Sequence, residues 1–207
     1  MKTIKNLLCV LFLSLSIVIS AQEFGPVVQN VNKAKDVTEL IQVRSQLERF
    51  IIAQPQQWLA EYYLAYVDVQ LSFRVPDKNE KSKYLSEAET SLDNLTALKE
   101  TDKSELYTLK GLRLYALIAS DPQTNGPKYS GEIINDYETA LGINPNNPRA
   151  LILSTLFKSD MAKFMHQTYD DFQKQVDKAA ILFAAENKTM LTPTWGKSWV
   201  DFALTKK

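Results

Sequence analysis

Apolar residues recur at three- and four-residue spacing along most of the chain, and nearly every such run starts at a polar cap and stops at a proline or polar turn. Leu40, Val43, Leu47, Phe50 and Ile51 follow the capping-box pattern Asp36-Val-Thr-Glu39, which predicts a helix over 36–53. The next run, 56–73, is apolar almost all round (Trp58, Leu59, Tyr62 to Val67, Val69, Leu71), so it must be covered on more than one side. Asp77-Lys-Asn-Glu80 repeats the capping box before Tyr84, Leu85, Ala88, Leu92, Leu95 and Leu98. Asp102-Lys-Ser-Glu105 does so again before Leu106, Leu109, Leu112, Leu114 and Leu117. A long irregular loop is then expected over 121–131, followed by helices over 132–143, 148–166 and 171–186 and a short last helix after Thr194. No segment alternates with the period of a strand, so the fold class is all-α.

The joint from Tyr137 to Leu151 shows how these helices connect. Ala140 leaves room for a close neighbour, Asn144-Pro145 ends one helix, and Asn147 caps the next with Pro148 at its first position. The breaks at Pro55, Thr101, Pro145 and Pro193 lie 46, 44 and 48 residues apart. Such a period describes hairpins that cannot bury their own apolar faces and stack on their neighbours. Tyr137, Ala140 and Pro145, with Leu64-Ala65 and Leu109 and Gly111, resemble the tetratricopeptide-repeat (TPR) pattern, although the period exceeds that family's usual length. The second half is more specifically similar to secreted TPR-like proteins of Gram-negative bacteria with no assigned activity, through Asp121-Pro122, Gly126-Pro127-Lys128-Tyr129, the turn from Asn144 to Ala150, and Pro193-Thr194-Trp195-Gly196. The resemblance implies a TPR-like right-handed superhelix of about three helical hairpins plus flanking helices, spanning 36–207.

Lys2 and Lys5, the apolar run from Leu7 to Ile19, and Ser20-Ala21 are the parts of a secretory signal peptide over 1–21, too short to span a membrane comfortably. The polar, aperiodic stretch 22–35 reads as a flexible arm. Export to the periplasm or the exterior follows, with no membrane insertion after cleavage. Cys9, the single cysteine of 207 residues, lies in that segment, so the mature chain has no thiol chemistry. Cleavage removes Lys2 and Lys5 and no acid, shifting balanced charges of 24 basic and 24 acidic residues to about −2. That gives no basis for nucleic acid as a partner.

In TPR-like stacks the first helix of each hairpin lines the concave face, which places Tyr62, Tyr66, Tyr115 and Arg149 there. Tyr and Arg bury much area at little entropic cost, so the expected function is non-catalytic capture of a protein or peptide, with no cofactor. Arg149 opposes the helix dipole in a first turn and needs a compensating partner, for which Asp121 is plausible. Trp195 and Trp199 are expected to cap the open end of the stack. Two alternatives remain. One is an enzyme using paired carboxylates in the groove. The other is a calcium-stabilised module, since Asp121, Asn125, Gly126 and Glu132 fall at EF-hand positions in 121–132. His166 lacks a second metal ligand or a nucleophile elbow nearby.

Overall fold

A computed structural model describes residues 24–189 and 192–205. The proposed signal peptide lies outside the described residues. A first helix, α1, covers 24–33, and α2 (Val37–Ala53), α3 (Trp58–Arg74), α4 (Lys78–Ala97), α5 (Lys103–Ser120), α6 (Pro122–Ile143), α7 (Pro148–Phe164), α8 (Phe172–Ala185) and α9 (Lys197–Thr205) follow. There is no strand among the described residues.

The caps act as their chemistry requires. Asp36 Oδ1 accepts from the Glu39 amide, Asp77 from Asn79 and Glu80, Asp102 from Glu105, and Asn147 from Arg149 and Ala150, each filling first-turn donors that have no helical partner.

Each helix packs on the next from α2 to α9, and α3, α5, α7 and α9 also touch one another in sequence. The even-numbered helices α4, α6 and α8 form an outer row whose members do not meet. The inner row therefore carries most of the burial, and α3 is buried from Leu59 to Ser72. Close approach depends on small residues. A Cβ at Gly111 would stand 2.6 Å from the Tyr137 ring, and buried Ala140 lets its carbonyl accept from Ser104 Oγ at 2.9 Å. These are two of the three small positions flagged by the repeat pattern; the third, Ala65, is also buried.

Two expectations are corrected. The stretch 22–35, read as a flexible arm, contains α1, whose Phe24 and Val31 are buried; Phe24 packs its ring 4.8 Å from Phe50. Phe24, Val27, Val28 and Val31 do fall at helical spacing, but Gly25-Pro26 among them reads as a breaker, and Phe24 packing on Phe50 of α2 and Tyr63 of α3 holds the helix in place. The loop expected over 121–131 is helix. Pro122 occupies a first-turn position where its missing amide costs nothing, Asp121 caps through the Thr124 amide at 3.3 Å, and Asn125 Nδ2 ties the turn to the Leu117 carbonyl at 2.8 Å. Ser130 Oγ then donates to the Gly126 carbonyl at 2.5 Å, so the turn around Pro127 is held from both sides.

Candidate functional site

The inner faces of α3, α5 and α7 meet at Arg149, which is 2 % exposed. Its Nε donates to both Glu105 oxygens at 3.2 Å, Nη1 to the Trp195 carbonyl at 3.1 Å, and Nη2 to the Pro193 carbonyl at 2.9 Å and to Glu186. Burial alone would lower the pKa of the guanidinium, but Glu105, Tyr62 and Glu186 reverse that and hold it above its ordinary value. Tyr62 completes the cluster. Its hydroxyl donates to Glu105 Oε2 at 2.6 Å and accepts from Trp195 Nε1 at 3.0 Å, and burial together with Glu105 holds the phenol neutral. Asn147 Nδ2 donates to Glu105, Ser104 and Thr108 while its oxygen caps α7. A buried guanidinium in the first turn of α7, where the dipole opposes it, is thus matched by two carboxylates and two carbonyls.

The segment held here is the chain's own. Trp195 stacks on Tyr66 at 4.2 Å and 22° and is 3 % exposed. Tyr63 Oη accepts from the Thr194 amide at 2.8 Å, and Asn32 Nδ2 donates to Thr194 Oγ1 at 2.7 Å. Gly196 has φ +108°, and a Cβ there would meet Arg149 Cγ at 2.8 Å and the Phe183 ring at 3.0 Å. Only glycine fits that approach. Residues 193–196 therefore lie across the inner helices as a bound peptide would, with aromatic, backbone and guanidinium contacts all satisfied.

Next to that strap is an open cleft of about 560 Å³, lined by Val31 and Asn32 of α1, by Tyr66, Gln70 and Arg74 at successive turns of α3, and by Trp199 and Phe202 of α9. Trp199 sits edge-on between Phe73 and Phe202, with ring centroids 6.3 Å apart in each case. Phe73 and Phe202 are exposed. Arg74 Nη1 donates to the Gln70 carbonyl and to Gln70 Oε1, which turns the Gln70 amide so that Nε2 is a buried donor with no partner. An unmet buried donor costs about 1–3 kcal/mol, so an acceptor brought to this one would recover that cost. Lys197, ion-paired to Asp201 at 2.9 Å, stands at the mouth.

Of the four residues expected to bind a partner, the structure brings Tyr62, Tyr66 and Arg149 together, and puts all three to work on residues 193–195. Tyr115 is elsewhere, donating to Asp160 and packed 5.3 Å from the Phe157 ring. Asp121 is not the partner of Arg149; it caps α6 and faces Lys78 at 3.9 Å. The EF-hand outline is corrected in the same way. Helix α6 turns Asn125 onto a backbone carbonyl and leaves Glu132 exposed, about three turns away from Asp121, so the segment cannot wrap its oxygens around one ion. Trp195 does not cap an end but lies in the middle of the inner face, while Trp199 is half-buried in α9. Glu105, Glu186 and Gln70 carry the site's polarity and were not singled out from sequence. Glu105 read as a cap residue, and nothing in spacing marks the other two. His166, past the end of α7, is exposed with φ 56°. Glu48, Asp68 and Glu87 converge on one guanidinium, that of Arg44.

No family model matches the chain, and no curated protein matches it. Among solved structures, the HusA haemophore from Porphyromonas gingivalis superposes with a TM-score of 0.76 at 22 % identity, over 92 % of this chain and 91 % of that one. The chain therefore shares an all-helical fold, along nearly its whole length, with a haemophore.

Proposed function

We propose that this chain is an exported, non-catalytic binding protein that carries a large, flat, mostly apolar ligand with acidic substituents in the cleft between α1, α3 and α9. Haem or a related tetrapyrrole is the first ligand to test, because the fold neighbour is a haemophore. The observation that carries the reading is the unpartnered Gln70 Nε2 beside the Arg74 guanidinium, in a cleft walled by Tyr66, Trp195, Trp199 and Phe202. Rings offer faces to a planar macrocycle, and an amide and a guanidinium suit a carboxylate at its edge. The volume falls in the range of small-molecule sites.

Titration of haemin into the protein, followed by its absorption spectrum, gives saturable one-to-one binding. The Gln70→Leu variant weakens it by about tenfold, the value of one hydrogen bond to a charged group. A linear, unsaturable response in the wild type removes the proposal. Blocking the ligand's carboxylates as methyl esters reproduces the Gln70→Leu loss if the amide meets a carboxylate.

A second reading concerns a protein or peptide partner. The stack is read as a TPR-like right-handed superhelix of about three hairpins plus flanking helices, which the inner-row contacts of α3, α5 and α7 support. Its concave face already holds Pro193 to Gly196, so a partner peptide would enter by displacing that strap. A synthetic peptide with the sequence of 192–199 binding to a chain truncated after Thr189 supports this reading, and no binding opposes it.

A further inference from the structure

The cleft beside α9 is lined by two basic side chains, Arg74 and Lys197, and by no acidic one. Helices α3 and α9 do not pack on each other. They meet across this gap through rings, Trp195 of the strap stacked on Tyr66 and Trp199 edge-on to Phe73. Gln70 stands on α3 one turn from each of those partners, so residues 196–198 pass at its level.

Two incomplete sets of donors face each other there. On α3, Gln70 is 8 % exposed and its Nε2 has no partner, while the Arg74 guanidinium that fixes it meets no carboxylate among the described residues. On α9, a helix of 9 residues, the first turn is uncapped. Gly196 has no side chain to accept from it, and the Trp199 amide turns back to the Gly196 carbonyl at 3.0 Å. The amides of Lys197 and Ser198 have no acceptor among the described residues. Such a terminus favours an anion, and a lysine as its first residue works against the dipole. Asp201 relieves this in part, holding Lys197 Nζ at 2.9 and 3.3 Å with both side chains more than half exposed. A helix start alone would bind water; the buried Gln70 donor across the gap is what gives this one a second wall.

We propose that the gap between Gln70 of α3 and the start of α9 is a clamp for one carboxylate of the ligand, which accepts from Gln70 Nε2 and Arg74 on one side and from the Lys197 and Ser198 amides on the other, and draws Lys197 away from Asp201. The clamp rests on the reading of this cleft as the ligand site and adds what selects the ligand. An aromatic plate must carry an anionic edge, and Asp201 competes with that edge for Lys197. Removing Asp201 therefore tightens binding, whereas a purely structural Lys197–Asp201 pair predicts no gain.

Calorimetric titration of the full chain at low ionic strength with 2-naphthoate and its neutral isostere 2-naphthamide tests the clamp with probes that contain no tetrapyrrole. Naphthoate should bind about tenfold tighter than naphthamide, as a charge-assisted contact requires. Asp201→Asn should tighten naphthoate about threefold and leave naphthamide unchanged, and Lys197→Gln should weaken naphthoate about threefold. Both side chains are exposed, so neither change disturbs the core. Naphthamide bound as tightly as naphthoate, no tightening in Asp201→Asn, or no binding of either probe would overturn the proposal. Haemin bound by a chain that takes neither probe keeps the tetrapyrrole and removes the clamp; naphthoate bound selectively by a chain that ignores haemin does the reverse.

Discussion

The inner face around Arg149 and the cleft beside α9 share residue chemistry and differ in what is left over. Both offer Tyr, Trp and Arg, and both border Trp195. Around Arg149 every guanidinium nitrogen is engaged, and the rings are covered by residues 193–196. In the cleft an amide donor lacks a partner, and Phe202 remains exposed. Composition alone does not separate a structural cluster from a ligand site. What separates them is whether the chain itself supplies the last partner.

Replacing Arg149 sharpens this contrast most. Arg149→Met leaves the buried Glu105 and the half-buried Glu186 without their cation, and should cost about 3–5 kcal/mol in urea unfolding. A stable variant that loses only ligand binding would put Arg149 on the functional side. Gly196→Ala follows, since the strap cannot accept a Cβ near Arg149 Cγ and Phe183 at positive φ; about 1–3 kcal/mol is expected from the same measurement. In the cleft the signs reverse. Gln70→Leu removes an unmet donor, so its unfolding midpoint should hold or rise while affinity for haemin falls by about tenfold.

The smallest effect is electrostatic. Burial pushes the Asp68 carboxyl up to about 7, against the pull of Arg44, and pushes Asp136 up to about 6, with Glu132 adding to the rise. Both folded values exceed the ordinary carboxylate value of about 3.9, so the folded chain binds these protons more tightly than the unfolded one. Their contribution is complete below about pH 4 and is lost as pH rises through about 6 to 7. Asp136→Asn, which mimics the protonated group, should raise the thermal midpoint by about 2–4 °C at pH 8 and leave it unchanged near pH 4. An equal shift at both pH values would show that packing and not titration is responsible.

Much of the fold is legible because capping chemistry is local. Asp36, Asp77, Asp102 and Asn147 each announce a helix start within four residues, and α2, α4, α5 and α7 begin where those residues place them. The segment 121–131 misled because Asp-Pro and Gly-Pro are breakers in a helix interior but are tolerated near its start, and the helix start is fixed by Asn125 reaching the end of α5. Tyr62, Tyr66 and Arg149 are placed on one face by the resemblance to TPR-like stacks, yet their role depends on a segment about 45 to 130 residues away, which no local pattern encodes. Gln70 was invisible for a related reason. Its neighbours on α3 make it look like one more buried position, and only the hydrogen bond from Arg74 leaves its nitrogen without a partner.

Amide hydrogen exchange of the full chain with and without haemin separates the two regions in one experiment. Slower exchange on binding is expected over 70–75 and 197–204, with little change over 148–153, where the chain already satisfies itself. Protection concentrated at 148–153 and 193–196, with none at α9, would contradict the assignment of the cleft as the ligand site.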